Sequence, residues 1–163
     1  TRTGLSRKIR WHNAAVHDLA SGEQWTLLEE RGVLSRYWMA LEAELDDEGR
    51  VVRRFSSALI FSATTADTNG DSKLDDLDGV RALVTDPDGR RPRFVTPVGT
   101  QLVSVQFDDD FDVAILMVRV DLDGDAKFSD DEPPRPFLYH FGEDRAEPLL
   151  EEGTLGIIEG ALE

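Results

Sequence analysis

The chain has 163 residues, no cysteine, and 33 Asp and Glu against 18 Lys and Arg, for a formal net charge of −15. The length suits one domain or a few repeat units, the charge argues against nucleic acid or an anionic membrane as the main partner, and the missing cysteines exclude disulfides and thiolate zinc. The longest apolar run, VAILMV at 113–118, falls far short of the roughly 20 residues that cross a bilayer as a helix, so no membrane insertion is expected.

The chain opens on Thr1 without a signal-peptide pattern, and an upstream piece is expected to have been removed or left out. The first segment with structure in it is AAVHDLASGEQWTLLEE (14–30), two short apolar stretches around a turn. Next comes YWMALEAELDDEGRVVRRF (37–55), read as a long hairpin with DDEG as its turn. That turn pairs Leu45 with Arg50 and Glu42 with Arg53. One face then carries Tyr37, Met39, Leu41, Ala43 and Leu45, and the other Trp38, Glu42 and Glu44. So long an apolar face is expected to meet a protein partner or another copy, with Tyr37, Trp38, Met39 and Leu41 as contact residues. The alternatives fold the hairpin over its own sheet or make 38–45 a short helix.

Further along, ALIFSATT (58–65) reads as a strand, followed by the acidic phrase DTNGDSKLDDLD (67–78) and the strands RALVT and RFVTP. The same order returns as GTQLVSVQF (99–107), a DDD turn, VAILMVRV (113–120), a second acidic phrase DLDGDAKFSDDE (121–132), PFLYHF and EPLL. The acidic phrases start at Asp67 and Asp121, an offset of 54. At that offset ALVTD meets PFLYH, RFVTP meets EPLLE, and VGTQLVSVQFDD meets EGTLGIIEGALE without a gap.

The repeat is thus a four-stranded antiparallel meander, and the chain divides into a partial unit at 1–31, a unit with a long hairpin at 32–98, a unit at 99–152, and a first strand at 153–163. Without its 12-residue acidic loop the 54-residue unit is 42 long, within the roughly 40–45 of a propeller blade. ALIFSATTADTNGD, RALVTDPDGRRPRFVTP and FLYHFGEDRAEPLL resemble the repeats of TolB-type β-propellers, in which an I-x-F-x-S-x-x-D strand leads to one ending in D-x-x-G. The likeness covers most of 9–163; it departs at His140, where an Asp is expected, and at Gly142, which arrives early. It implies an all-β partial propeller whose open edges are covered by other sequence or other chains. A β-sandwich with chance spacing is the alternative.

The acidic phrases resemble the 12-residue loops of EF-hands and dockerins, which surround calcium with oxygens from positions 1, 3, 5, 7, 9 and 12. The first phrase offers Asp67, Asn69, Asp71, the Lys73 carbonyl, Asp75 and Asp78; the second offers Asp121, Asp123, Asp125, the Lys127 carbonyl, Ser129 and Glu132. Position 8 is apolar in both, Leu74 and Phe128, as an inward anchor should be. Position 6, usually Gly, is Ser72 or Ala126, which forces a side chain into positive φ at a cost of about 1–2 kcal/mol. Two calcium ions per chain are expected, in loops set between strands.

No catalytic set is expected: His12, His17 and His140 read as packing or surface residues, and Ser56 and Ser57 lack a nucleophile elbow. Trp11 and Trp25 read as packing aromatics. The sequence therefore points to a calcium-binding, non-catalytic propeller segment outside the cytoplasm (periplasmic, secreted or cell-surface), used as scaffold or interaction module. The alternative is an accessory part of a larger secreted hydrolase or lyase.

Overall fold

In VAILMVRV the residues Ala114, Leu116 and Val118 are fully buried while their neighbours are half-exposed, the period of a strand with one face on a core. The computed structural model describes residues 2–149 except 76, 109–111, 130 and 144, and describes side chains in that range except at 2–5, 42–43 and 53–57. Among the described residues there is no helix, and eleven strands appear. They are β1 (Arg2–Trp11), β2 (Ala15–His17), β3 (Gln24–Thr26), β4 (Val33–Leu45), β5 (Val51–Thr64), β6 (Arg81–Thr85), β7 (Arg93–Phe94), β8 (Thr100–Phe107), β9 (Val113–Val120), β10 (Arg135–His140) and β11 (Arg145–Pro148). The fold is all-β, with antiparallel sheets ordered β1-β4-β5-β6-β7 and β11-β10-β9-β8, and a separate β2-β3 hairpin.

These elements stack in three layers. One core joins the two large sheets, with Trp38, Ile60, Ala82 and Val84 on one side and Leu102, Leu116, Val118 and Tyr139 on the other. The opposite face of the first sheet presents Leu34, Phe61, Ala63 and Leu83 to Leu27 and Leu28, which follow the small hairpin. Ile60 and Phe61 are neighbours, yet each is buried in a different core, so both faces of β5 are covered. Fully burying such a side chain is worth about 1.5–3 kcal/mol. The sheets also touch through backbone: Val80 bridges Gln101 in parallel, and the Leu102 N–H donates to the Val80 carbonyl at 2.8 Å.

Turns fasten the small hairpin to the first sheet. Gly89 takes φ of 82°, and a Cβ there would come within 3.0 Å of Val16 Cγ2, so the close approach needs glycine. At that point the Trp25 indole N–H donates to the Gly89 carbonyl at 2.9 Å, and the Arg90 guanidinium lies 4.2 Å from the Trp25 ring centroid.

The long hairpin corrects three expectations. First, its register is displaced, by one residue at the tip and by two beyond it: the Asp46 N–H donates to the Arg50 carbonyl at 3.0 Å, so Leu45 faces Val51, while Glu44 faces Arg53 and Glu42 faces Phe55. Gly49 at φ 77° adds a residue to the turn, and a further irregularity between Glu44 and Leu45 moves the rest. Second, residues 38–45 are strand throughout, which removes the short helix. Third, Trp38, expected as a contact residue, is only 5% exposed and sits in the core, because the second sheet covers its face of β4.

The first segment is also more than a partial unit. β2 and β3 occupy the two short stretches expected there, but residues 2–11 form β1, which pairs antiparallel along β4 from Arg2–Glu42 to Trp11–Leu34. The expected first strand at 153–163 lies outside the described residues.

Candidate metal centre

Both acidic loops occupy the same place in the topology: residues 67–78 join β5 to β6, and residues 121–132 join β9 to β10. Each is curled by its own carboxylates. The Asp67 carboxylate accepts from the N–H groups of Gly70 and Ser72, both at 2.7 Å; Asp121 accepts from Gly124 at 2.8 Å and Ala126 at 3.1 Å. At position 3, Asn69 accepts from the Asp71 N–H at 3.0 Å and Asp123 from the Asp125 N–H at 3.1 Å. At position 5, Asp71 accepts from Lys73 at 2.9 Å and Asp125 from Lys127 at 2.8 Å. Position 12 closes the ring: Asp78 accepts from the N–H groups of Thr68 at 2.8 Å and Asp75 at 3.0 Å, and Glu132 from Leu122 at 2.8 Å and Ser129 at 3.3 Å.

The backbone bends where the sequence demands it. Gly70 and Gly124 have φ of 76° and 77°, and the non-glycine residues at position 6, Ser72 and Ala126, are held at 67° and 61°. A left-handed side chain costs about 1–2 kcal/mol, so the loops carry strain that their hydrogen bonds offset.

In the second loop these bonds bring positions 1, 3 and 12 together. Asp121, Asp123 and Glu132 place ligand atoms within 4.8 Å of one another, with Glu132 buried. All three supply oxygen, the donor that suits a hard divalent cation, and their mutual repulsion favours one. In the first loop position 3 is Asn69, and among the described residues no carboxylate triple of that kind forms. There Asp78 is fully buried and its carboxylate accepts four times, the Asn69 N–H and Thr68 hydroxyl adding to the bonds above. Thr68 was not singled out in the sequence, yet its hydroxyl also accepts from the Gly79 N–H at 2.8 Å and ties the loop's two ends together.

The remaining loop residues stand further out. Asp75 accepts from the Leu77 N–H at 3.0 Å and Ser129 from the Asp131 N–H at 3.2 Å. The ammonium groups of Lys73 and Lys127 lie 3.5 and 3.4 Å from Asp71 and Asp125, exposed pairs of little energetic weight. The Lys127 backbone N–H, outweighing burial, holds the Asp125 carboxyl below its ordinary value. The anchors Leu74 and Phe128 are half-buried.

Tyr37 stacks on Trp11 and leans on Phe61, with ring centroids 6.4 and 6.1 Å away, while Met39 and Leu41 are half-buried and paired to β1. Trp11 remains 44% exposed. The hairpin's exposed apolar residues are instead Leu45, Val51 and Val52, beside its tip. His17 shares a hydrogen bond with Gln24, His140 lies 3.6 Å from Glu147, and His12 is exposed just beyond β1. Comparison with known protein families, curated proteins and solved structures finds no match.

Proposed function

We propose that this chain is a calcium-binding, non-catalytic segment of a repeat protein, with one ion in each acidic loop and a role outside the cytoplasm as scaffold or interaction surface. The observation that carries the reading is the shared hydrogen-bond frame of the two loops, in which positions 1, 3, 5 and 12 accept from matching backbone donors. Two loops of different sequence adopting one frame, each between the second and third strand of a meander, is the arrangement expected of repeated ion sites rather than of solvated turns. Meanders stacked face to face support propeller-type blades, and β1, added beside β4, departs from a plain four-stranded blade.

Calcium here is structural. It would draw each loop's oxygens inward and add stability by mass action, since the unfolded loop binds poorly. Loops strained at position 6 suit a calcium-rich compartment, where modules bind at about 10⁻⁴–10⁻³ M. Calorimetry on protein stripped over a chelating resin should show two binding events and a calcium-dependent rise in melting temperature. Heats and melts indifferent to millimolar calcium would end the proposal. The exposed tip of the hairpin is the contact surface in this reading, so Val52→Glu should weaken self-association or partner capture in sedimentation.

A further inference from the structure

We propose that a cleft between β1, β4 and β8 binds a small multivalent oxyanion, a di- or tricarboxylate or a phosphate. The cleft has a volume of about 330 Å³ and is lined by Lys8 and Arg10 of β1, Arg36 of β4 and Arg119 of β9, with Asp75 as its one carboxylate among the described residues. Four cations against one anion reverse the sign of a chain whose net charge is −15.

Many cations elsewhere on this surface have carboxylate partners, whereas Arg7, Arg31 and Arg81 have none among the described residues. Arg50 pairs with Asp46 and Glu48, Arg90 with Glu23 and Asp88, Arg91 with Asp86, and Arg145 with Glu147. In the cleft, Lys8, Arg10 and Arg36 form no ion pair with any described carboxylate. Asp75 faces its own loop, accepting from the Leu77 N–H. With 33 acidic residues available, three cations gathered at one concavity and left without carboxylates leave a complementary anion to be supplied from outside.

The chemistry narrows that anion. Guanidinium groups match carboxylate and phosphate oxygens in paired hydrogen bonds, and Arg36 is already oriented by the Trp38 ring, 5.6 Å from its centroid. Ser35, Ser62 and Gln101 add uncharged polar groups to the wall, and Val33, Val80 and Leu102 apolar ones. The volume holds roughly ten waters, so the ligand has about that many heavy atoms. A polyanionic macromolecule is disfavoured, because beyond about 8 Å from the cleft it meets the acidic remainder of the protein.

The test is calorimetric titration of resin-stripped protein with citrate and with inorganic phosphate at fixed ionic strength; stripping prevents citrate from acting by sequestering calcium. The expected result is saturable one-to-one binding by at least one of them, weakened about tenfold or more by Arg10→Gln and by Arg36→Gln and unaffected by Arg50→Gln at the hairpin tip. The tighter of the two probes identifies the ligand class. Saturable binding of neither, or equal affinity in wild type, Arg10→Gln and Arg36→Gln, would overturn the proposal. If Arg36→Gln fails to fold, Arg10→Gln and Lys8→Gln, both at exposed positions of β1, decide it.

Discussion

The two acidic loops share a frame and differ in how they use it. In the loop at 121–132, Glu132 accepts two backbone N–H groups, one on each oxygen, and lies in a cluster with Asp121 and Asp123. In the loop at 67–78, the shorter Asp78 is drawn fully inside and accepts from Thr68, Asn69 and Asp75, so its oxygens are committed to the protein. The contrast shows that one sequence pattern can serve two ends. The longer twelfth residue, Glu132, reaches in beside two aspartates, whereas the shorter Asp78 is tied more heavily to its own loop's backbone.

The largest effect belongs to Glu132→Ala. It should weaken calcium at the second loop on the order of a hundredfold while leaving the first loop's affinity within about twofold, read as the loss of one calorimetric event. Loss of both events would mean that the loops are not independent. Asp78→Ala should act in the other direction, costing about 2–4 kcal/mol of stability in urea melts of metal-free protein, because four donors lose a buried acceptor. Glu132→Ala under the same conditions should cost clearly less, and equal losses would erase the distinction between the loops.

Smaller effects test what the loops have in common. Ser72→Gly and Ala126→Gly should each stabilise the metal-free protein by about 0.5–1 kcal/mol, since relief of positive φ outweighs the entropy that glycine adds to the unfolded chain. Smallest of all is an acid effect outside the loops. Asp18 and Asp46 are held below the ordinary 3.8, chiefly by the backbone N–H groups of Ala20 and Arg50 respectively. A lowered carboxylate value in the folded state gives stability that is complete above the unfolded value and lost as pH falls through the folded one. Metal-free melts should therefore slip slightly below about pH 4, and Asp46→Asn should remove part of the slip.

The loops and the second sheet were legible because their signals are local. Odd-numbered oxygens announce a curled loop, and the alternation Ala114, Leu116, Val118 announces a strand with one buried face. What escaped was set elsewhere. The hairpin register turns on Gly49 entering positive φ, and composition alone does not say whether a DDEG turn takes that extra residue. That the face carrying Trp38 is covered escaped because the covering sheet lies more than sixty residues downstream. β1 escaped because RTGLSRKIRW carries few apolar residues, with Leu5 and Ile9 four apart, and its partner β4 begins beyond the intervening hairpin. The cleft followed it out of sight, since its cations come from strands that only tertiary pairing brings together.

The layered arrangement has a consequence for how the protein opens. β5 and β6 are covered on both faces, whereas β9, the more apolar sequence, is fully covered on only one. Solvent can reach a β9 amide by lifting an outer surface, but the amides of Ile60 and Val84 are released only when neighbours on both sides have separated. Hydrogen–deuterium exchange should therefore be slowest in the middle of the first sheet, at the energy of global unfolding, even though inspection of hydrophobicity would place the slowest amides in VAILMV.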